Sequence, residues 1–158
     1  MTDAPSILRP PGAVLFACNF NRVRSPMAEA LLKRLAGDRI FVDSCGLKHP
    51  PDSFADPSER LEIDPLAVAV MAEVGCDLSN SKVKTFDDLQ DDSFDLVISL
   101  TPEAQHRAVE MARGRAAEIE YWPVHDPTLT EGSREARLEA YRMVRDSLAS
   151  RIARRFVF

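Results

Sequence analysis

No stretch of this 158-residue chain is long and apolar enough to cross a membrane. The first twelve residues are rich in proline and hold no apolar core of the length a secretory leader needs, so they read as a flexible tail ahead of one domain over residues 13–158. Cysteine is scarce: Cys18, Cys45 and Cys76 make no disulfide framework, and free thiols suit a reducing compartment, which points to the cytoplasm. Positive charge is in deficit, and a net charge of -5 argues against general nucleic-acid binding. No Gly/Ser-rich linker or internal repeat divides the chain, and its length is enough for one proper core. His49, His106 and His125 lack ligand spacing with a cysteine or carboxylate pair, so neither a metal nor a cofactor is expected.

What is present is a regular alternation of strands and helices. Ala13 to Ala17 is a short apolar run of the kind a strand buried on both faces shows. Residues 40–45, 94–100 and 117–122 read as three more strands. Helical spacing runs from Ser25 to a stop at Gly37, from Leu66 to Val74 before Gly75, from Pro102 to Arg113, and from Arg134 to Phe156. On the last of these, Tyr141, Val144, Leu148, Ile152 and Phe156 form one apolar stripe, while Arg151, Arg154 and Arg155 read as a solvated face near the helix's negative end. Such alternation predicts an α/β fold, a parallel sheet with helices on both faces and ligands at the carboxyl ends of the strands.

The segment Cys18-Asn19-Phe20-Asn21-Arg22-Val23-Arg24-Ser25 lies at the first such end, between a strand and a helix. Its backbone N–H groups, from Asn19 to Ser25, would wrap an anion at the positive end of the helix dipole without a metal. Arg24 adds a planar fork for two of the anion's oxygens. Cys18, on the floor of that cradle, is placed where amides and guanidinium favour a thiolate nucleophile. A leaving alkoxide or phenoxide also needs a proton, which a carboxylic acid opposite the sulfur can give. Three Asp-Pro pairs compete for that role: Asp56-Pro57, Asp64-Pro65 and Asp126-Pro127. Asp64-Pro65 directly precedes a helical pattern, where N-capping is the blander explanation.

The stretch Cys18 to Ala28, with Asn21 and the run Arg24-Ser25-Pro26, resembles the phosphate loop of the low-molecular-weight protein tyrosine phosphatases, a loop shared with thioredoxin-coupled arsenate reductases. Tyr121 to Pro127 resembles the same family's acid-bearing loop, which selects Asp126. The resemblance implies a single-domain three-layer sandwich with a four-stranded parallel sheet in the order 2-1-3-4. It also implies metal-independent hydrolysis of phosphomonoesters through a phosphocysteine on Cys18. By the same resemblance Ser25 hydrogen-bonds the sulfur, Asn21 holds the loop's strained backbone, and Ser44 anchors Asn21. The implied partners are a phosphorylated protein or a small phosphomonoester. The choice among phosphotyrosine, phosphoarginine and a small molecule stays open, as does the oligomeric state.

Departures from the family pattern bear on specificity. Phe20 stands where many members have glycine, Val23 where many have a second cysteine that can pair with the nucleophile, and Thr128-Leu129 where eukaryotic members carry an aromatic wall. Arg22 occupies a variable position whose side chain points toward substrate in the family and would favour neighbouring negative charge. Arsenate reduction is the alternative activity, and the family's resolving cysteines are missing after the third strand, where Leu100-Thr101 stand. A non-catalytic anion-binding protein is the third reading. Roles for Cys45 or Cys76 in redox regulation are open.

Overall fold

Strands covered on both faces need nearly continuous apolar runs, and β1 (Ala13–Cys18) supplies one, with five of its six residues buried. The computed structural model describes residues 11–50, 62–89 and 93–158. In it β1 pairs in parallel with both β2 (Phe41–Gly46) and β3 (Leu96–Ser99), and β4 (Glu118–Tyr121) adds to the far side of β3. The strand order is 2-1-3-4, as the resemblance implies. Most of the expected tail, residues 1–10, and the Asp56-Pro57 pair lie outside the described residues.

Alternation along β1 divides the core in two. Val14, Phe16 and Cys18 face a cluster built with α1 (Arg24–Ala36), α2 (Pro65–Ala72) and α4 (Arg134–Arg155). Leu15 and Ala17 face the opposite cluster, where Ala104 and Ala108 of α3 (Pro102–Ala112) pack closely because their side chains are small. The result is the expected three-layer sandwich. Cys45 belongs to the α3 side and Cys18 to the other, so the sheet separates them.

Helix ends follow local chemistry. Thr101 and Ser133 cap α3 and α4 by accepting from Ala104 N and Ala136 N. Helix α2 stops earlier than its periodicity predicts, at Ala72, because the chain turns through Gly75 at φ 82° and Cys76 N returns to Met71 O at 2.9 Å. Helix α4 ends at Arg155, and all five members of its predicted stripe are buried.

Helix α4 carries one buried charge that its periodicity did not signal, and one expectation about it changes. Arg145 is buried within the stripe, its Nη1 donating to Val70 O at 2.8 Å. Together with Arg142 it grips Glu73 at the end of α2, and hydrogen bonds from Arg142 first and Arg145 second hold that carboxyl down at about 2. The basic end of the helix is also more than a solvated face. Arg155 pairs with Glu120 at 2.8 Å and Arg151 stands 4.8 Å over the Trp122 ring, both fastening α4 to the β4 end. No helix among the described residues is long and apolar enough to cross a membrane.

Candidate active site

The loop from Cys18 to Arg24 joins the carboxyl end of β1 to α1. Val23, the N-cap of α1, makes no side-chain capping bond, which leaves the first amides of the helix for an anion. Asn21 turns the loop at φ 59°, the one positive-φ non-glycine among the described residues. That conformation costs about 1–2 kcal/mol, and three hydrogen bonds hold it. Asn21 Nδ2 donates to Ser25 Oγ at 2.8 Å and to Ser44 Oγ at 2.9 Å, while Oδ1 accepts from Lys84 N at 3.0 Å. Ser44 in turn donates to Glu29 of α1, a contact with no signal in the sequence.

Cys18 Sγ lies 2.9 Å from Ser25 Oγ and accepts from Asn21 N at 3.3 Å. Because Ser25 Oγ already accepts from Asn21, its own proton is directed to the sulfur or to Cys45 O at 3.3 Å. The sulfur of Cys18 therefore has two polar partners, a hydroxyl and a backbone amide. Cys45 is different in kind: burial first and the neighbouring Cys18 second push its thiol up, which keeps it protonated and inert.

The loop rests directly on Gly46, the register partner of Cys18. A Cβ there would stand 2.6 Å from Phe20 C and 2.7 Å from Asn21 N, both backbone atoms. Gly46→Ala is therefore expected to displace the loop, lowering stability by about 1–3 kcal/mol and weakening inorganic phosphate binding in a calorimetric titration. Asn19 adds a second anchor: its carbonyl accepts from Leu47 N at 2.8 Å and its side chain accepts from Thr101 Oγ1 at 2.7 Å.

Asp126 comes to the loop from the end of β4. Its backbone is extended at φ -85° and ψ 105°, as a following proline requires, and Oδ1 caps the short turn Pro127–Leu129 by accepting from Thr128 N at 3.0 Å and Thr128 Oγ1 at 2.6 Å. Oδ2 lies 3.8 Å from Arg24 Nη2, and Arg24 Nη1 donates to Val124 O at 3.0 Å. Cys18, Arg24 and Asp126 thus line one cleft of about 430 Å³, with Phe20, Thr128 and Leu129 around it.

Three further residues line the cleft that periodicity and motif did not place there: Asp64, Arg137 and Tyr141. Asp64 does cap α2, accepting from Leu66 N at 2.8 Å, but its other oxygen accepts from Tyr141 OH at 2.8 Å and it borders the cleft. Burial first, then Asp64, hold the Tyr141 phenol well above its ordinary range. Arg22 reaches the cleft as well, with its Nε tied to Glu62 O at 2.8 Å. His125 is exposed, His106 contacts Glu110 at 3.2 Å, and among the described residues no group of His, Cys, Asp and Glu could hold a metal.

This arrangement has relatives. The glutaredoxin arsenate reductase of Synechocystis sp. is 32% identical over 139 residues, covering 88% of this chain and 92% of that protein. An arsenate reductase solved in a phosphate-binding state superposes with a TM-score of 0.69 at 30% identity, covering 90% of this chain and 94% of the other. The low molecular weight protein tyrosine phosphatase of T. tengcongensis gives 0.67 at 25% identity, covering 89% and 94%. The model of the low molecular weight phosphotyrosine protein phosphatase family matches residues 13–155, and the chain belongs to that family.

Proposed function

We propose that the protein is a metal-independent phosphatase acting on phosphomonoesters, protein phosphotyrosine foremost. The observation that carries this reading is Asp126, a carboxyl group on the wall of the cleft that holds Cys18, beside the Arg24 guanidinium. Cys18 thiolate attacks phosphorus in line, and Arg24 with the amides of residues 19–25 holds the three equatorial oxygens. As the P–O bond breaks, Asp126 gives its proton to the leaving oxygen. A phosphocysteine results. Asp126, now a carboxylate, takes a proton from water as it attacks phosphorus, and the S–P electron pair returns to Cys18, where the Ser25 hydroxyl receives it. The cleft, at about 430 Å³, is of the size that holds a small-molecule ligand and leaves room for an organic leaving group. A thiolate nucleophile suits a reducing compartment, and we place the enzyme in the cytoplasm.

The relatives' names favour a second reading, arsenate reduction. There Cys18 displaces a hydroxyl from arsenate, and a second thiolate attacks the Cys18 sulfur. A disulfide forms, and the S–As electron pair stays on arsenic, reducing it to arsenite. The second thiol is hard to find within this chain. Cys45 is across the sheet, and Cys76 follows the far end of α2, whose near end, capped by Asp64, borders the cleft. Eight residues of helix span about 12 Å, well beyond disulfide reach. Reduction would therefore need an external thiol.

Two assays on one preparation without added metal separate the readings. Hydrolysis of 4-nitrophenyl phosphate, with arsenate-dependent oxidation of glutathione and glutaredoxin at background, is the expected result. The reverse pattern would establish the reductase, and phosphate binding with neither turnover would leave only an anion-binding role.

A further inference from the structure

The charged side chains that line the cleft are engaged, with one exception. Arg24 holds Val124 O and faces Asp126, Asp126 is bonded by Thr128, Asp64 accepts from Leu66 and Tyr141, and Arg22 donates to Glu62 O. Arg137 lines the same cleft from the start of α4, yet its guanidinium makes no hydrogen bond or ion pair among the described residues. An exposed arginine ordinarily needs no partner, because water solvates it. This one stands at the mouth of an oxyanion site. Tyr141, four residues on and hence on the same helical face, is buried in the cleft wall, with its hydroxyl fixed on Asp64 and its phenol within the field of Arg137. The cation thus lines the same cleft as the Cys18 loop and Asp126 while belonging to neither the loop nor the acid-bearing turn.

Resting on the phosphoester reading above, we propose that Arg137 forms a subsite for a carboxylate on the leaving-group side of the substrate. Preferred substrates then carry a second negative charge close to the phosphoryl group. A carboxylated small phosphoester and an acidic residue beside a phosphorylated side chain both offer that chemistry.

Calorimetric titration of non-hydrolysable probes tests it in two arms. The first compares benzylphosphonate with 4-carboxybenzylphosphonate. The second compares peptides in which a phosphonomethyl-phenylalanine is flanked by Glu or by Gln. In at least one arm the carboxylated probe is expected to bind wild type about fivefold more tightly at low salt, with the preference shrinking as salt rises. Arg137→Gln should abolish that preference, Arg137→Lys retain part of it, and Arg134→Gln, one turn away and outside the cleft lining, keep it. The arm that shows the preference identifies the source of the carboxylate. No preference in either arm, or one that survives Arg137→Gln, overturns the subsite while leaving the phosphoester reading standing. If no phosphonate binds at all, both fall.

Discussion

Cys18→Ser is expected to bring aryl phosphate turnover below detection, a fall of at least ~10⁴-fold. The substitution is nearly isosteric, and the partners of the sulfur, Ser25 Oγ at 2.9 Å and Asn21 N at 3.3 Å, can serve a hydroxyl equally well. The fold should therefore be intact, and inorganic phosphate should still bind. What disappears is the nucleophile. A serine hydroxyl needs a base, and the groups bonded to this atom are a hydroxyl and an amide, neither of which removes a proton. Turnover by Cys18→Ser comparable to wild type, measured by release of 4-nitrophenolate, would remove Cys18 from the mechanism.

Asp126→Asn is expected to lower kcat by about 10²–10⁴-fold, the usual worth of general acid–base catalysis. The loss should depend on the ester. The carboxamide oxygen of the variant can still accept from Thr128 N and Oγ1, so the turn over residues 127–129 stays capped and the change is confined to the proton. A 4-nitrophenolate leaves with little help, whereas a simple phenolate or alkoxide needs the acid. With 4-nitrophenyl phosphate the variant should release one equivalent of nitrophenolate in a burst and then stall, because water attacks the phosphocysteine slowly without a base. Equal rates for good and poor leaving groups in both proteins, with no burst, would assign Asp126 to loop structure alone.

The parts of the site readable in the sequence were those in which local spacing and chemistry coincide. Cys18, Arg24 and Ser25 sit on a strand-to-helix turn, so one stretch of chain encodes the cradle's position and its content. Asp126 needed the resemblance to be separated from Asp64, and Asp64 proved to have two faces, a helix cap on one oxygen and a Tyr141 contact at the cleft on the other. Tyr141 was legible as core by its period, which says nothing about where its hydroxyl ends. Gly46 carried no signal, since its need for hydrogen arises from the loop backbone packing on it and not from a positive φ. Arg137 looked like any helical surface arginine. Only the fold brings the start of α4 to the cleft between the Cys18 loop and the Asp126 turn. The parallel sheet covered on both faces followed from alternating strands and helices and its strand order from the resemblance, whereas the end of α2 was misjudged because a turn through Gly75 closes it before its apolar pattern stops.

The placement of Cys45 behind the sheet has a consequence for the life of the molecule. On the mechanism proposed above Cys18 works as a thiolate, and a working thiolate is prone to peroxide, whose first product is a sulfenic acid. That species survives by condensing with a nearby thiol. Here Val23 occupies the neighbouring loop position, Cys45 lies on the far side of β1 and β2, and Cys76 is beyond α2. Rescue must come from outside, from a small thiol able to enter the same cleft as the substrate. Without it, oxidation runs on to the sulfinic acid and the enzyme is spent.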